Sequence, residues 1–204
     1  MRRHLPGGSR VLDVGCGDGW LAEALPGYEW HGVEPDSVLR EKALAKGIRA
    51  EPGRAGELPF PDGHFDTVCL FDVLEHLPEE GPALHEVRRV LRPGGLLFVS
   101  VPLHPELWSE HDERCGHYRR YRKGEVVGFL KKYGFCVLER RFFLSLFLPL
   151  AFLVRWVFSG GSAGMQLPGW MEGVVYRVAV FDAKLRLPFG LTEVIVACWA
   201  TPAI

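Results

Sequence analysis

The feature that most constrains this chain is a glycine-rich turn that directly follows a short apolar segment. The segment Arg10–Val14 reads RVLDV, and three glycines follow it at alternate positions, Gly15, Gly17 and Gly19. Glycines at this spacing let the backbone turn tightly and approach a ligand closely, because a Cβ atom would clash there. Residues 21–25 then have the composition of a helix start, which offers free N–H groups. This order predicts a strand, a ligand-binding turn and a helix.

The first hundred residues alternate between apolar runs and helix-like segments. Further strands are predicted at residues 30–33, 48–51, 65–71 and 96–101, and helices at residues 37–46 and 82–91, with a turn at residues 93–95. The second half predicts helices at residues 123–132 and 174–187, strands at residues 135–141 and 192–200, and a mobile linker at residues 159–170. The alternation predicts a doubly wound α/β fold with a mostly parallel sheet and helices on both faces. Such sheets bind ligands beyond the carboxyl ends of their strands, where the strand order reverses.

Two carboxylates flank the predicted ligand turn. Asp13 stands just before it, where it would repel a pyrophosphate but attract a ligand ammonium group. Glu34 ends the second strand, about 20 residues further on, where an acid can accept both ribose hydroxyls of an adenosine. The structural alternatives are a turn-forming aspartate and a charge at a helix N-terminus. The GxGxG spacing and the acid at position 13 favour an adenosine that carries an amino acid over a dinucleotide.

At this point the sequence resembles the class I S-adenosylmethionine (SAM)-dependent methyltransferases, in the branch of small-molecule and ubiquinone-type enzymes. The resemblance is carried by VLDVGCGDG, GVEPD, LPFPDGHFDTV, FDVLEHL and VLRPGGLLFVSVP at residues 11–19, 32–36, 58–68, 71–77 and 90–102. It implies a Rossmann-like, doubly wound sheet of seven strands whose last strand is antiparallel. It also implies SAM as the cofactor and S-adenosylhomocysteine as the product.

The resemblance further implies which residues bind the cofactor. They are Asp13, Gly15, Cys16, Gly17, Glu34, Pro35, Ala55, Gly56, Phe71, Asp72 and His76. The family often has an acid shortly before LPF that binds the adenine amino group, but Arg54 stands there in this chain. Backbone N–H groups near Ala55, or Glu57, are the alternatives for that contact. Relatives also carry helices before the first strand, so the start lies upstream or the substrate cover comes from elsewhere.

A polar block after the fifth strand is the predicted substrate side, because loops at strand ends carry function. Its residues 107–121 read LWSEHDERCGHYRRY. His111 or His117 is predicted as the general base, and Asp112 as the group that orients it. The predicted substrate-binding residues are Trp108, Arg119, Arg120 and Tyr121. The alternative is a solvated loop whose charges pair with one another. A metal held by His111, Asp112, Cys115 and His117 matches no standard zinc spacing, so no metal is expected.

The strongly apolar residues 142–158 read FFLSLFLPLAFLVRWVF. Pro149 and Arg155 interrupt them, and their uncharged part is shorter than the roughly 20 residues that a membrane span needs. A buried helix or a homodimer contact is favoured, and a peripheral membrane or lipid-binding element is the alternative.

The chain is interpreted as a single methyltransferase domain, residues 1–204. Residues 10–102 form its cofactor half, residues 103–204 its substrate half, and residues 142–187 an apolar insert.

Composition narrows the function further. Lysine and arginine number 24 against 25 acidic residues, so a nucleic-acid partner is not expected. The five cysteines are scattered and odd in number, which indicates reduced thiols and a cytoplasmic location. The basic N-terminus lacks the apolar region of a secretory signal.

The leading hypothesis is a SAM-dependent methyltransferase that O-methylates a small-molecule or lipid-linked acceptor. Two alternatives stay open. The first is a protein of the same fold that binds SAM without catalysis and acts as a regulator or partner subunit. The second, less favoured, is an NAD-dependent oxidoreductase.

Overall fold

The computed structural model describes residue 1, residues 3–157 and residues 169–199. The strands are β1 (Arg10–Val14), β2 (Glu29–Val33), β3 (Arg49–Glu51), β4 (Phe65–Phe71), β5 (Leu91–Pro102), β6 (Phe135–Phe143) and β7 (Thr192–Trp199). The helices are α1 (Trp20–Ala24), α2 (Ser37–Ala45), α3 (Gly81–Val90), α4 (Glu110–Arg114), α5 (Glu125–Lys132), α6 (Leu148–Val157) and α7 (Gly169–Leu185). Three 3₁₀ turns lie between them, at Leu74–His76, Pro105–Leu107 and Ser145–Phe147.

The strands form one sheet in the order β3-β2-β1-β4-β5-β7-β6. β1 pairs in parallel with β2 and with β4, so the strand order reverses beside β1. β7 lies between β5 and β6 and is antiparallel to both. The prediction of a doubly wound, mostly parallel, seven-stranded sheet with an antiparallel last strand is confirmed within the described residues.

Alternating residues of the strands bury two separate cores, one on each face of the sheet. Leu12 of β1 packs with α3 and α5 on one face, whereas Val11 packs with α1 and α2 on the other. β1 is buried from Val11 onward, which explains its continuous apolar run. The helices therefore cover both faces, and the loops at the carboxyl ends of the strands are left to form a site.

The glycine turn has the backbone that its sequence demands. Gly15, Gly17 and Gly19 all have positive φ, which is costly for residues with a Cβ atom. A Cβ atom on Gly19 would also overlap the side chain of Ile48 and lie 3.3 Å from the Cα of Ala43. Gly19 therefore lets α1 start close against α2 and the segment that leads into β3.

Several predicted boundaries differ from the observed ones. The turn expected at residues 93–95 lies inside β5 as an irregularity, because Phe65 pairs with Leu91 while Thr67 pairs with Leu96. The apolar residues 142–158 divide into the end of β6, the 3₁₀ turn Ser145–Phe147 and α6. The predicted linker at residues 159–170 lies almost wholly outside the described residues.

A buried carboxylate joins α7 to the 3₁₀ turn that follows β6. Asp182 of α7 accepts hydrogen bonds from the backbone N–H groups of Ser145 and Leu146, at 3.1 and 2.9 Å. The ring of His104, after β5, contacts the ring of Phe152 on α6 at 5.5 Å between centroids. The apolar insert is thus attached near the carboxyl end of β5. No helix in the described parts of the chain combines the length and the apolar composition that crossing a bilayer requires.

Candidate active site

A cavity of about 530 Å³ opens at the carboxyl ends of β1, β2 and β4, beside the reversal of strand order. Its volume lies within the range of ordinary ligand pockets, about 300–1,000 Å³. Seven residues predicted to bind the cofactor lie on its wall: Gly15, Gly17, Glu34, Pro35, Ala55, Asp72 and His76. The sequence interpretation did not assign a cofactor role to the other wall residues: Val14, Val33, Leu39, Gly53, Arg54, Val73 and Leu77. Most of these are apolar neighbours of predicted residues, so adjacency to the motifs was the available signal.

Glu34 is fixed in place by the backbone of the glycine turn. Its Oε2 accepts a hydrogen bond from the N–H of Gly17 at 2.9 Å, and its Oε1 accepts one from the N–H of Asp36 at 3.0 Å. Glu34 is buried, yet it lies on the cavity wall. Each carboxylate oxygen has two lone pairs, so each can accept one further hydrogen bond from a ligand hydroxyl.

Gly15 leaves bare backbone at the cavity wall. A Cβ atom there would lie 3.1 Å from Cγ2 of Val73, and the φ of +71° already disfavours any other residue. The cavity therefore has the shape that the glycine spacing predicts, with bare backbone where a side chain would project.

Asp13 is buried behind the turn and is absent from the described residues that line the cavity. Burial, together with the nearby charge of Glu34, raises the pKa of Asp13 to about 7. Near neutral pH this carboxyl therefore titrates, and a ligand ammonium group would favour its charged form. Its cofactor role stays a prediction.

Cys16, Gly56 and Phe71 also lie off the described cavity wall. Cys16 is buried, and burial raises the pKa of its thiol to about 12, so it behaves as a small apolar group. It packs closely on β2, because a Cβ atom on Gly32 would lie 2.5 Å from its Sγ. Phe71 instead lines a separate cavity with Trp20 and Leu25, on the α1 side of the sheet.

Asp72 follows β4 with a φ of +53°, an uncommon conformation for a residue with a side chain. Ser100 of β5 stabilises it from both sides. The N–H of Asp72 donates to Oγ of Ser100 at 3.0 Å, and that hydroxyl donates to Oδ1 of Asp72 at 2.8 Å. The reciprocal pair holds an exposed carboxylate at the cavity wall.

The polar block after β5 is organised around Asp112, whose side chain is fully buried. Its Oδ1 accepts from Nε of Arg120 at 2.7 Å and lies 3.0 Å from Nδ1 of His117. Its Oδ2 accepts from the N–H of Ser109 at 2.9 Å. Burial by itself raises the pKa of Asp112, but Arg120 and His117 hold it below its usual value. Asp112 is therefore an anion that orients the imidazole of His117.

His117 lies beside His76, and His76 is on the cavity wall. The ring centroids are 4.7 Å apart and the rings are nearly perpendicular. The main chain joins the two segments, because the N–H of Tyr118 donates to the carbonyl of Glu75 at 2.7 Å. Of the two predicted bases, His117 is thus next to the cavity. His111 is exposed and approaches Sγ of Cys115, with 3.6 Å from its Nε2.

The predicted substrate-binding residues are bonded within the protein. Arg119 donates to Oε1 of Glu80 at 2.8 Å and to the carbonyls of Leu77 and Pro78. The hydroxyl of Tyr121, a fully buried residue, donates to the same Glu80 oxygen at 2.9 Å. Arg120 is held by Asp112, and Nε1 of Trp108 donates to Glu113 at 3.3 Å. These contacts stabilise the block itself, and the substrate roles of the four residues stay predictions.

The sheet order, the cradle of glycines and the oriented carboxylate of Glu34 define a class I SAM-dependent methyltransferase fold. Residues 12–99 match the family model described as a methyltransferase domain, and this domain and fold imply SAM as the cofactor.

Curated relatives and solved structures agree with this class. An uncharacterized methyltransferase of Mycobacterium sp. (strain KMS) is 38% identical over 117 residues, which are 55% of this chain and 46% of the relative. The ubiquinone biosynthesis O-methyltransferase of Aeromonas salmonicida is 32% identical over 106 residues, 46% of this chain and 43% of the relative. The chain therefore spans about half the length of the curated relatives it matches. The structure of a SAM-dependent methyltransferase from Mesorhizobium loti has a TM-score of 0.67 at 18% identity and covers 97% of this chain and 94% of that one.

Proposed function

We propose that this chain transfers the methyl group of SAM to an oxygen atom of a small-molecule or lipid-linked acceptor. The single observation that carries the proposal is the placement of seven predicted cofactor residues around one cavity whose wall adjoins the Asp112–His117 pair. The match to ubiquinone biosynthesis O-methyltransferases supports an oxygen atom as the acceptor. We further propose that the chain is one functional unit, with residues 10–102 on the cofactor side and residues 103–204 on the substrate side.

The residues present fit the cofactor. The bare backbone at Gly15 leaves room that a Cβ atom would fill, and Glu34 keeps a free lone pair on each oxygen for ribose hydroxyls. The cofactor supplies a methyl group on a sulfonium sulfur, and transfer is an in-line displacement in which the S–C bond breaks as the O–C bond forms. The protein must therefore align the acceptor oxygen, and a base must remove the proton from that oxygen.

We propose that His117 is the general base that removes the proton of the acceptor hydroxyl. Asp112 binds its Nδ1, which leaves Nε2 as the ring nitrogen that can face an acceptor hydroxyl. The buried anion behind the ring stabilises the imidazolium that forms when His117 accepts a proton. His111, the other predicted base, is exposed and has no such partner among the described residues.

Exposed apolar residues within 146–153 and 174–189 support a lipid-linked acceptor and contact with a membrane surface. Exposed apolar side chains gather on α6, α7 and the adjoining turns: Leu146, Leu150, Phe152, Leu153, Val174, Tyr176, Val180, Phe181, Leu185 and Phe189. A concentration of exposed apolar side chains is typical of an interaction site. The favoured interpretation from the sequence was a buried helix or a homodimer contact. The exposure of α6 and α7 in a single chain disfavours the buried helix, and the homodimer contact stays an alternative.

Cofactor binding and turnover test the proposal together. Isothermal titration calorimetry with S-adenosylhomocysteine, SAM and NAD should show binding of both adenosyl ligands, and binding of NAD alone would favour the oxidoreductase. An assay with tritiated methyl-SAM and a lipid extract should then label an acceptor. Tight S-adenosylhomocysteine binding without any labelled product across polar and lipid extracts would favour the non-catalytic alternative.

A further inference from the structure

Glu75, His76 and His117 form a compact cluster beside the cofactor cavity. Each residue offers one nitrogen or oxygen ligand atom, and these three atoms all lie within 4.8 Å of one another. Glu75 and His76 come from the 3₁₀ turn after β4, whereas His117 comes from the loop after α4. The sequence-based alternative grouped His117 with different residues, and it expected no metal site.

One oxygen of the Glu75 carboxylate lacks a hydrogen-bond partner among the described residues. The residue is 1% exposed, and its Oε2 has no hydrogen-bond partner among the described residues. A buried, unpaired carboxylate oxygen is unfavourable and calls for an explanation such as a missing ion. A bound cation would give Oε2 of Glu75 the partner that the described residues do not provide.

The imidazoles are prepared for ligation. Asp112 binds Nδ1 of His117 at 3.0 Å and is itself held by Arg120 at 2.7 Å, an arrangement common behind metal-binding histidines. The ring of His76 lies 4.7 Å from that of His117 between centroids, so both imidazoles are within reach of one ion.

We propose that Glu75, His76 and His117 bind one divalent transition-metal cation of the Zn²⁺, Mn²⁺ or Co²⁺ type. Two imidazoles and one carboxylate favour these ions over Mg²⁺ or Ca²⁺, which prefer oxygen ligands. Bonds of about 2.0–2.2 Å would bring the ligand atoms to roughly 3.5 Å apart, so each pair must close by up to about 1.3 Å. Because His76 lines the cavity, a remaining coordination position can face the acceptor.

The catalytic consequence rests on the proposed function. A cation at this position would lower the pKa of the acceptor hydroxyl, so that its proton passes to solvent as the methyl group moves from sulfur to oxygen. His117 then acts as a ligand and no longer as the base, and the dependence of turnover on metal separates these two roles.

Titration of the metal-stripped full chain with Co²⁺ tests the site without reference to activity. We expect one saturable equivalent, seen as visible absorption of the bound ion. Glu75→Gln and His117→Gln should each weaken Co²⁺ binding at least about 10-fold. His111→Gln, an exposed imidazole of the same block, is the matched control and should bind Co²⁺ like the unaltered chain. The S-adenosylhomocysteine affinity of each variant reports whether it is folded.

Absence of a saturable Co²⁺ signal in the unaltered chain overturns the site. Unchanged Co²⁺ affinity in a folded variant at Glu75 or His117 also overturns the site. Where one of these two variants fails to bind S-adenosylhomocysteine, His76→Gln takes its place. Full methyl transfer after chelation overturns the catalytic consequence and favours His117 as the base. Absence of methyl transfer in the metal-loaded chain, despite cofactor binding, contradicts the proposed function instead.

Discussion

At the scale of single residues, the proposed cofactor recognition depends on Glu34, a carboxylate whose direction is set by the backbone. Glu34 accepts from two N–H groups, one on each side, so both of its oxygens must be acceptors. Glu34→Gln should weaken S-adenosylhomocysteine binding about 10- to 100-fold, because the amide group turns a donor toward one of those N–H groups. Calorimetry measures this loss. Glu41→Gln, an exposed acid on α2, is the control and should bind normally; equal affinity in both variants would contradict the role of Glu34.

The raised pKa of Asp13 predicts how the free energy of unfolding depends on pH. Burial raises its pKa from 3.8 to about 7, so the folded state keeps a proton that the unfolded state releases between these values. Its contribution to the free energy of unfolding is therefore full below pH 3.8, falls as the pH rises and is lost above about pH 7. Asp13→Asn should gain stability relative to the unaltered chain across this window, by up to about 4 kcal/mol. Urea unfolding of the ligand-free protein from pH 4 to pH 8 measures the difference, and a flat difference contradicts the assignment.

His117 and His111 give opposite predictions for turnover. His117→Gln should lower kcat by about 100-fold or more, because either a base or a metal ligand is lost next to the cavity. The KM for SAM should stay nearly unchanged, since His117 lies off the described cavity wall. The same substitution at exposed His111 should leave both constants within about threefold. Steady-state methyl transfer measures both variants, and similar losses at the two positions would refute the assignment to His117.

At the scale of elements, two glycines with the same φ allow the cost of a left-handed backbone to be measured separately from the cost of a steric clash. Gly19 and Gly47 both have a φ of +83°, but only Gly19 would place a Cβ atom against neighbours, Ile48 and Ala43. Gly47→Ala should therefore lower the free energy of unfolding by about 1 kcal/mol, the cost of the left-handed backbone alone. Gly19→Ala should cost at least about 2 kcal/mol and also weaken cofactor binding, because α1 and the turn must shift. Urea unfolding compares the two, and equal losses would show that the contact with α2 is unimportant.

The elements that sequence predicts well are those whose pattern is local. β1 and β4 were predicted with their observed bounds, because each is a buried apolar run between turn residues. The cluster of Glu75, His76 and His117 could not be predicted, because His117 is about 40 residues from the other two and long-range hydrogen bonds, such as that from Tyr118 to Glu75, bring them together. Likewise, the sequence showed that Arg119 and Tyr121 are polar, but not that both bind the buried Glu80.

At the scale of the whole molecule, the apolar insert and its charges favour one orientation on a lipid surface. Within residues 173–191 the exposed charges are Arg177, Lys184 and Arg186, whereas the only acid, Asp182, is buried. Cations around an apolar surface attract anionic headgroups, each contributing about 1 kcal/mol. Because His104 contacts Phe152, this surface lies next to the loop after β5, where an acceptor from a membrane could enter.

The full chain should therefore sediment with vesicles that contain phosphatidylglycerol and much less with vesicles of phosphatidylcholine alone. Lys184→Glu should weaken the binding about 10-fold or more, because it replaces attraction with repulsion. Phe181→Asp should weaken it as well, since it places a charge in the apolar surface. Leu44→Asp is the matched control, because Leu44 is an exposed apolar residue on α2, away from the insert. Equal binding to both kinds of vesicle contradicts the electrostatic part of this orientation. A dimer seen by light scattering that Phe181→Asp dissociates, without any vesicle binding, assigns the surface to a second copy of the chain instead.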